Sequence, residues 1–240
     1  AQQGETRYRA NGMIPAGSDK EALLNFDIPE GRLQDLTHIL DPLLSKLEIF
    51  PDDLSGSAQG HVQLRGELSV DGLIINGDLR GREWVAYGES FSQGDLKIVY
   101  DRGRYEIGPV RLSKRKGIIL GSMQFNSTTK ELGWDVQSSG IRISDLDRLG
   151  TSDLSQAGEL AIHSSGRTNP RSRALKSETQ VHLTGFRLLG RNYGDAQAFA
   201  RTEDGVLSVA VDGFNGAVHA DYHAEQVRSA GGSVASPMAS

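Results

Sequence analysis

The chain has 240 residues, of which 37% are hydrophobic and 29 are glycine, a composition typical of a globular protein. Its 26 basic and 31 acidic residues are well mixed and give a net charge of −5, which argues against binding nucleic acid through a basic face. The absence of cysteine excludes disulfides and thiol chemistry, and no apolar run reaches the roughly 18 residues that a membrane-spanning helix needs.

Residues 5–14 are predicted to form a strand followed by an Asn-Gly turn at residues 11–12, and residues 22–28 are predicted to form a second strand. Leucine and isoleucine then recur at helical spacing between residues 33 and 47, the one such run in the sequence. Pro42 cannot continue a helix, so we predict two short helices, the second with Asp41 as its N-cap. The apolar side of this helical cap is expected to pack on the sheet. A helix that binds a partner is the alternative.

Residues 57–125 carry the clearest pattern, because apolar residues recur at every second position and turn signals interrupt them roughly every ten residues. Period two predicts strands with one apolar and one solvent-facing side. Residues 71–72, an Asp-Gly dipeptide, are predicted to form a hairpin turn. We therefore predict an all-β fold with one short helical segment, in which an antiparallel meander forms a curved open sheet with a groove. A closed sandwich or barrel is the alternative.

The alternating apolar residues of this meander are predicted to lie on one side of the sheet and to form the walls of the groove. Leu64, Ile75, Ile98 and Ile119 in particular should point to the same side. The full set of predicted wall residues is Val62, Leu64, Val70, Leu73, Ile75, Leu79, Leu96, Ile98, Val110, Leu112, Ile119, Met123 and Phe125.

The second half of the sequence echoes the first with a period of about 100 residues, as a modular array does. Residues 154–162 resemble residues 54–64, and residues 204–209 resemble residues 101–107. A generic likeness between β-meanders is the alternative to a true repeat. The predicted organisation is a first β-meander unit at 1–126 with the helical cap at 33–47, a second, similar unit at 127–228, and a flexible tail or linker at 229–240.

Side chains of types that bind metals are grouped at His219, Asp221 and His223. On a strand these three residues share one face, opposite Val218 and Ala220. The pattern therefore favours the outer face of an ordinary strand, with a metal site as the alternative.

No catalytic constellation is visible in the sequence. Residues 114–116, Lys-Arg-Lys, predict a charged hairpin tip, and contact with an anionic lipid headgroup is the alternative. A nucleophile elbow, a phosphate-binding loop and a zinc-binding His-Glu-x-x-His motif are all missing from the sequence. We therefore expect a protein that is not an enzyme, with no catalytic residue, no cofactor and no metal.

Residues 54–66 read Leu-Ser-Gly-x-x-x-Gly-x-Val-x-Leu-x-Gly, a pattern that resembles the AsmA/TamB-like family of bacterial envelope proteins. The leucine-rich segment before it and the Gly-Ile-Ile-Leu-Gly-Ser-Met stretch at 117–123 are similar to that family too. The resemblance covers most of residues 22–225. Family members usually carry an N-terminal membrane anchor, whereas this sequence starts at Ala1, so we expect a processed soluble form or a segment of a larger membrane-anchored protein.

The resemblance implies a long curved sheet whose apolar concave face holds phospholipid acyl chains without catalysis. It implies a role in lipid transfer or outer-membrane assembly in the periplasm of a diderm bacterium, with outer-membrane or inner-membrane assembly proteins as partners and no nucleic acid. A structural or carbohydrate-binding β-module of a cell-envelope protein is the alternative. Aromatic residues make up only 6% of the chain, which leaves few platforms for sugar rings.

Overall fold

The computed structural model describes residues 2–3, 6–14, 21–35, 53–67, 69, 72–150, 156–169, 171–172 and 174–225. These residues are almost entirely β-strand, and within each of the two units described below the strands are antiparallel to their neighbours in sequence. The chain divides into two compact units, Ala1–Thr128 and Thr129–Ser240. The prediction of an all-β antiparallel meander that stays open is confirmed. In the described part of the chain, no helix has the length and apolarity required to cross a membrane.

The first unit contains eight described strands, each hydrogen-bonded to the next along the chain. Alternating apolar residues and Gly-containing turns favour this arrangement, because antiparallel neighbours need only short connections. The strands are β1 (Gln2–Gln3), β2 (Thr6–Met13), β3 (Ala22–Arg32), β4 (Ser57–Gly66), β5 (Leu73–Ala86), β6 (Glu89–Asp101), β7 (Arg104–Lys114) and β8 (Gly117–Asn126).

The second unit contains six described strands in the same meander order. They are β9 (Leu132–Arg142), β10 (Gln156–Asn169), β11 (Ala174–Leu188), β12 (Arg191–Glu203), β13 (Val206–Gly213) and β14 (Val218–Glu225). A 3₁₀ turn at Ile143–Asp145 and a short helical turn at Asp147–Gly150 follow β9. The predicted tail at 229–240 lies outside the described residues.

The predicted helical cap is described only at its start, where residues 33–35 are helical and the remainder to residue 47 lies outside the described residues. Asp35 anchors this start to β2, since its Oδ2 accepts hydrogen bonds from the Thr6 hydroxyl at 2.8 Å and the Thr6 backbone N–H at 3.2 Å. The Thr6 hydroxyl oxygen in turn accepts the backbone N–H of Arg32 at 3.0 Å. Thr6 is fully buried, so these bonds satisfy its polar atoms.

The Asn-Gly turn predicted at residues 11–12 is wrong, because β2 continues through Met13 and pairs with β3 there. The turn predicted at residues 71–72 is also wrong as a two-residue hairpin. Gly66 pairs with Leu73, so β4 ends before the predicted turn and residues 67–72 connect the two strands. Gly66 has a φ of +103°, a conformation that side-chain-bearing residues rarely adopt, and this ends the strand early. A hydrogen bond from the backbone N–H of Gly72 to the Ser69 side chain, 3.0 Å long, closes the connection.

Buried apolar side chains of the first unit form two clusters. One is built around Trp84 and Phe91, next to the start of the helical cap, and the other around Tyr100 and Tyr105. The indole N–H of Trp84 donates to the backbone oxygen of Ser57 at 2.8 Å, which satisfies its only polar atom. These clusters lie on the same side of the sheet as the predicted wall residues.

Candidate functional site

The register of β4–β8 places the predicted wall residues on one side of the sheet, which we call the first face. One row across the strands runs Leu64, Ile75, Tyr100, Tyr105 and Phe125, where each residue pairs with the next. Parallel rows hold the other described members of the predicted set: Val62, Leu73, Leu79, Leu96, Ile98, Val110, Leu112, Ile119 and Met123. The prediction that Leu64, Ile75, Ile98 and Ile119 share a side is confirmed. Val70 lies outside the described residues.

A bulge in β7 keeps the apolar side chains of both halves of this strand on the first face. Ile98 pairs with Ile107 and Leu96 pairs with Val110, so β7 has one more residue than β6 across this interval. The extra residue lies in the Gly108-Pro109 pair, where Gly108 has a φ of +141° and proline needs no ladder hydrogen bond. Without the bulge, Val110 and Leu112 would point to the opposite side.

Burial differs along the first face. Leu73, Ile75, Leu79 and Ile98 are only 4–8% exposed, whereas the other described wall residues are half-buried. Part of the predicted groove is therefore a packed core within the first unit. An aspartate at Ile75 or Ile98 would therefore be desolvated and would destabilise the first unit.

The second unit carries an equivalent apolar side, which we call the second face and which was not predicted residue by residue. Its central row runs Ile162, Val181, Ala198, Val211 and Ala220 across β10–β14. The neighbouring rows are Leu160, Leu183, Ala196, Gly213 and Val218 on one side, and Ser164, Thr179, Ala200, Val209 and Tyr222 on the other. The second face is thus aliphatic, with small hydroxyl groups in one row.

The second face is open to solvent. Every described residue on this side of β10–β14 is half-buried or exposed, and no described residue after Asp145 is buried. Monomeric soluble proteins rarely expose contiguous apolar surface without a use for it. The second face is therefore a stronger candidate for a binding surface than the partly packed first face.

A column of alanines gives the second face a shallow trough. Ala196, Ala198 and Ala200 alternate along β12, while β11 and β13 carry the larger Val181 and Val211 beside them. The two flanking strands lie about 10 Å apart, at the usual spacing between strands. From Ala196 to Ala200 the trough extends about 14 Å at 3.4 Å per residue. These dimensions suit one extended hydrocarbon chain lying along the strands.

The opposite sides of both sheets are polar. In the first unit, Gln63 donates to Asn25 at 2.9 Å, and Asn25 donates to Asn11 at 3.4 Å, a ladder that crosses three strands. In the second unit His163 contacts Asp135 at 3.3 Å. Each unit is therefore a two-sided sheet with one hydrated face and one apolar face.

The predicted metal alternative is not supported by the geometry. His219 Nδ1 lies 2.6 Å from Asp212 Oδ1, its Nε2 lies 3.3 Å from Asp221, and His223 hydrogen-bonds to Ser208 at 3.0 Å. These side chains lie on the polar side, opposite the second face. Among the described residues, no group of three or more His, Cys, Asp or Glu side chains is arranged to hold a metal ion.

The pKa of His219 provides a first prediction. The hydrogen bond and the charge of Asp212, followed by the charge of Asp221, raise the pKa of His219 above its ordinary value. Because the folded-state pKa is raised, any stabilisation from this site is complete below the unfolded-state pKa and is lost as pH rises through the folded-state pKa. Asp212→Asn should lower the His219 pKa more than Asp221→Asn does. Titration of the imidazole by NMR measures both, and equal shifts would contradict this ranking.

The predicted basic tip at residues 114–116 is only partly exposed. Lys114 is 4% exposed, and its Nζ lies 2.7 Å from Glu89, donates to the Ser90 oxygen at 3.0 Å and lies 5.5 Å from the Phe91 ring centroid. This amine is therefore neutralised within the first unit. Arg115 and Lys116 are exposed and form the tip.

Comparison with known proteins identifies no relative: no family model, no curated protein and no solved structure matches the chain. The resemblance of residues 54–66 to the AsmA/TamB-like family therefore stays a prediction, as does the repeat.

Proposed function

We propose that this chain is a non-catalytic segment of a cell-envelope protein that holds lipid acyl chains on the apolar sides of its sheets. The observation that carries the proposal is the second face, where aliphatic side chains on five neighbouring strands are half-buried or exposed. The first face, whose half-buried wall residues adjoin two apolar clusters, is proposed as a second region of the same kind.

The energetics favour an apolar ligand. Burying a methylene group contributes about 0.8 kcal/mol, so a sixteen-carbon chain covered on one side gains roughly 6 kcal/mol before the loss of motion is subtracted. An alkyl chain needs no hydrogen-bonding partner, and the backbone groups of the inner strands are already paired in the ladder. Aliphatic side chains without convergent polar groups are thus sufficient for binding.

The resemblance to the AsmA/TamB-like family supplies the biological setting of the proposal. It suggests the periplasm of a diderm bacterium, either as part of a larger membrane-anchored protein or as a processed soluble form. Partners in that setting are outer-membrane or inner-membrane assembly proteins. The sheet faces of this chain are compatible with passing lipid along strands rather than enclosing it in a pocket.

The carbohydrate-binding alternative receives less support from the structure. A sugar-binding module presents aromatic rings as flat platforms, but on the described part of the second face Tyr222 is the only aromatic residue of β12–β14. It lies on β14 and is 37% exposed. The other residues that β12–β14 contribute to the three rows are alanine, valine and glycine, which match hydrocarbon better than sugar.

A fluorescence titration tests the proposed function. We expect the full chain to bind cis-parinaric acid, a naturally fluorescent fatty acid, and Val181→Asp to weaken binding at least roughly tenfold because its carboxylate enters the path of the chain. Val181 is half-buried and faces solvent, so the charge should leave the sheet folded.

The control for this titration is Gln180→Asp, which adds the same carboxylate one residue earlier on the polar side. Gln180 pairs with His163 and Phe199 across the sheet, and this register places its side chain on the side opposite Val181. Equal losses of affinity in both variants, or no binding by the unmodified chain, would overturn the proposal. Loss of self-association in Val181→Asp would instead indicate that a second copy covers this face.

A further inference from the structure

The hairpin between β11 and β12 ends in an exposed apolar turn. Leu188 pairs with Arg191, so Leu189 and Gly190 form a two-residue loop, with φ values of +51° and +77°. Leu189 is 65% exposed, and only Met13 equals it among the large hydrophobic side chains of the described residues. We call residues 187–193 the hairpin tip.

Leucine is a poor choice for this turn on structural grounds alone. A loop with positive φ at both positions favours Asn, Asp or Gly, and a leucine in the left-handed region is uncommon. The side chain also gains little from the fold, since it is mostly exposed to water. Both costs are explained if Leu189 contacts an apolar environment outside the protein.

Aromatic residues support the hairpin tip from its base. The ring centroids of Phe186 and Tyr193 lie 5.9 Å apart, those of Phe186 and Phe214 lie 5.6 Å apart, and those of Tyr193 and Phe214 lie 6.2 Å apart. Tyr193 is 38% exposed. Tyrosine is enriched where hydrocarbon meets the headgroup layer of a membrane, because its ring is apolar and its hydroxyl is polar.

The charge around the hairpin tip is positive. Residues 185–194, Gly-Phe-Arg-Leu-Leu-Gly-Arg-Asn-Tyr-Gly, contain two arginines and no acidic residue. Asp195 lies at the base of the hairpin, where its Oδ1 accepts the backbone N–H of Gly185 at 2.7 Å, so the end of the hairpin is more positive than its base. Arg187 and Arg191 are both exposed. Across the hairpin, Arg187 pairs with Asn192 and Arg191 pairs with Leu188, and neither partner carries a charge. Guanidinium groups beside an exposed leucine complement anionic headgroups above an apolar layer.

The geometry points to a membrane-docking function for the hairpin tip: Leu189 enters the boundary of the acyl layer of an anionic bilayer, Tyr193 lies at headgroup level, and Arg187 and Arg191 contact lipid phosphates. This inference goes beyond the proposed function. The tip would bind a bilayer surface whether or not the sheet faces hold acyl chains.

Vesicle flotation with the full chain tests this inference. We expect binding to vesicles of equal parts phosphatidylcholine and phosphatidylglycerol, and weaker binding to phosphatidylcholine alone. Leu189→Asn should reduce binding to the anionic vesicles about tenfold, because it removes the apolar group that enters the membrane. Asparagine tolerates positive φ, so this variant should retain its fold. Arg187→Gln and Arg191→Gln should each reduce binding about fivefold.

The matched control is Tyr87→Asn, at the turn between β5 and β6. Tyr87 also has positive φ, +56°, and is 59% exposed, but Asp53 accepts the backbone N–H groups of Tyr87 and Gly88, which places a carboxylate at this turn. We therefore expect Tyr87→Asn to bind vesicles as the unmodified chain does. Equal losses in Tyr87→Asn and Leu189→Asn, or no preference for anionic vesicles, would overturn the inference.

Fatty-acid titration separates this inference from the proposed function. Leu189→Asn should still bind monomeric cis-parinaric acid, whereas Val181→Asp should still float with anionic vesicles. Loss of both activities in Leu189→Asn would contradict an independent membrane contact, and a vesicle-binding chain that takes no fatty acid would contradict only the sheet-face proposal.

Discussion

Replacing Gly94 with alanine should destabilise the first unit by about 3–5 kcal/mol, the usual cost of losing a buried tryptophan. A methyl group at Gly94 would lie 2.0 Å from Cε3 of the Trp84 ring, far inside van der Waals contact. Trp84 is 3% exposed, so the indole has no adjacent space and must leave its site. Its hydrogen bond to the Ser57 oxygen would be lost with it. Urea unfolding monitored by tryptophan fluorescence measures the change.

Gly77→Ala is the matched control for this substitution. Gly77 also lies on the first face, but a methyl group there would meet only Val62, at 3.5 Å, and the His61 oxygen, at 3.9 Å. We expect a change in the free energy of unfolding below about 1 kcal/mol. Adding Gly94→Ala to a Trp84→Leu variant should likewise cost little, since the clashing ring is absent. Circular dichroism follows the unfolding of these two variants, because they lack the tryptophan of the first unit. Similar destabilisation by Gly94→Ala and Gly77→Ala would contradict the packing described for Trp84.

Replacing Ile75 with aspartate should have a comparable or larger effect on stability. Ile75 is 4% exposed and pairs with Leu64 and Tyr100 on the first face, so the carboxylate would be desolvated among apolar groups. A buried ion without a partner costs several kcal/mol, and the lost aliphatic packing adds to it, so we expect roughly 4 kcal/mol or more. The same urea experiment measures it.

Two control variants separate the effect of burying a carboxylate at Ile75 from the effect of adding a charge to the sheet. Asn76→Asp, on the polar side of the same strand, should stay within about 0.5 kcal/mol of the unmodified chain. Val211→Asp, on the open second face, should also remain folded, because Val211 is half-buried and its carboxylate can stay hydrated. A fully folded Ile75→Asp protein would show that the first face is as open as the second.

The sheet and its sidedness were predictable from the sequence because alternation determines which side of a strand each residue occupies. The register places all twelve described members of the predicted wall on one face, including Val110 and Leu112 beyond the β7 bulge. Gly108-Pro109 was a usable signal for that bulge, since proline is excluded from regular ladder positions.

Burial was not predictable in the same way. Alternation predicts which residues share a side of the sheet but not what covers that side. Ile75 was therefore predicted to line an open groove and Lys114 to lie at a charged hairpin tip, whereas both side chains are buried. Lys114 is buried because Glu89, which follows a different turn, lies 2.7 Å away. Such a contact depends on register across two strands, which a single sequence does not fix.

The second face was missed for a different reason. Its floor consists of Ala196, Ala198 and Ala200, whose alternation is a weak hydrophobic signal beside the Val, Leu and Ile residues of the first unit. A trough needs small residues between larger ones, so the best-formed apolar surface carries the weaker sequence pattern.

Photo-crosslinking to lipid is the most direct test of acyl-chain binding on the apolar sides. A photoreactive residue would replace Val62, Leu64 or Val211 in turn on the apolar sides. The control positions are Gln63, Lys97 and Asp212, which lie on the polar sides of the same or neighbouring strands. We predict that adducts with phospholipid acyl chains form at the first three positions and not at the second three. Equal labelling of both sides, or no lipid adduct at Val211, would contradict the account.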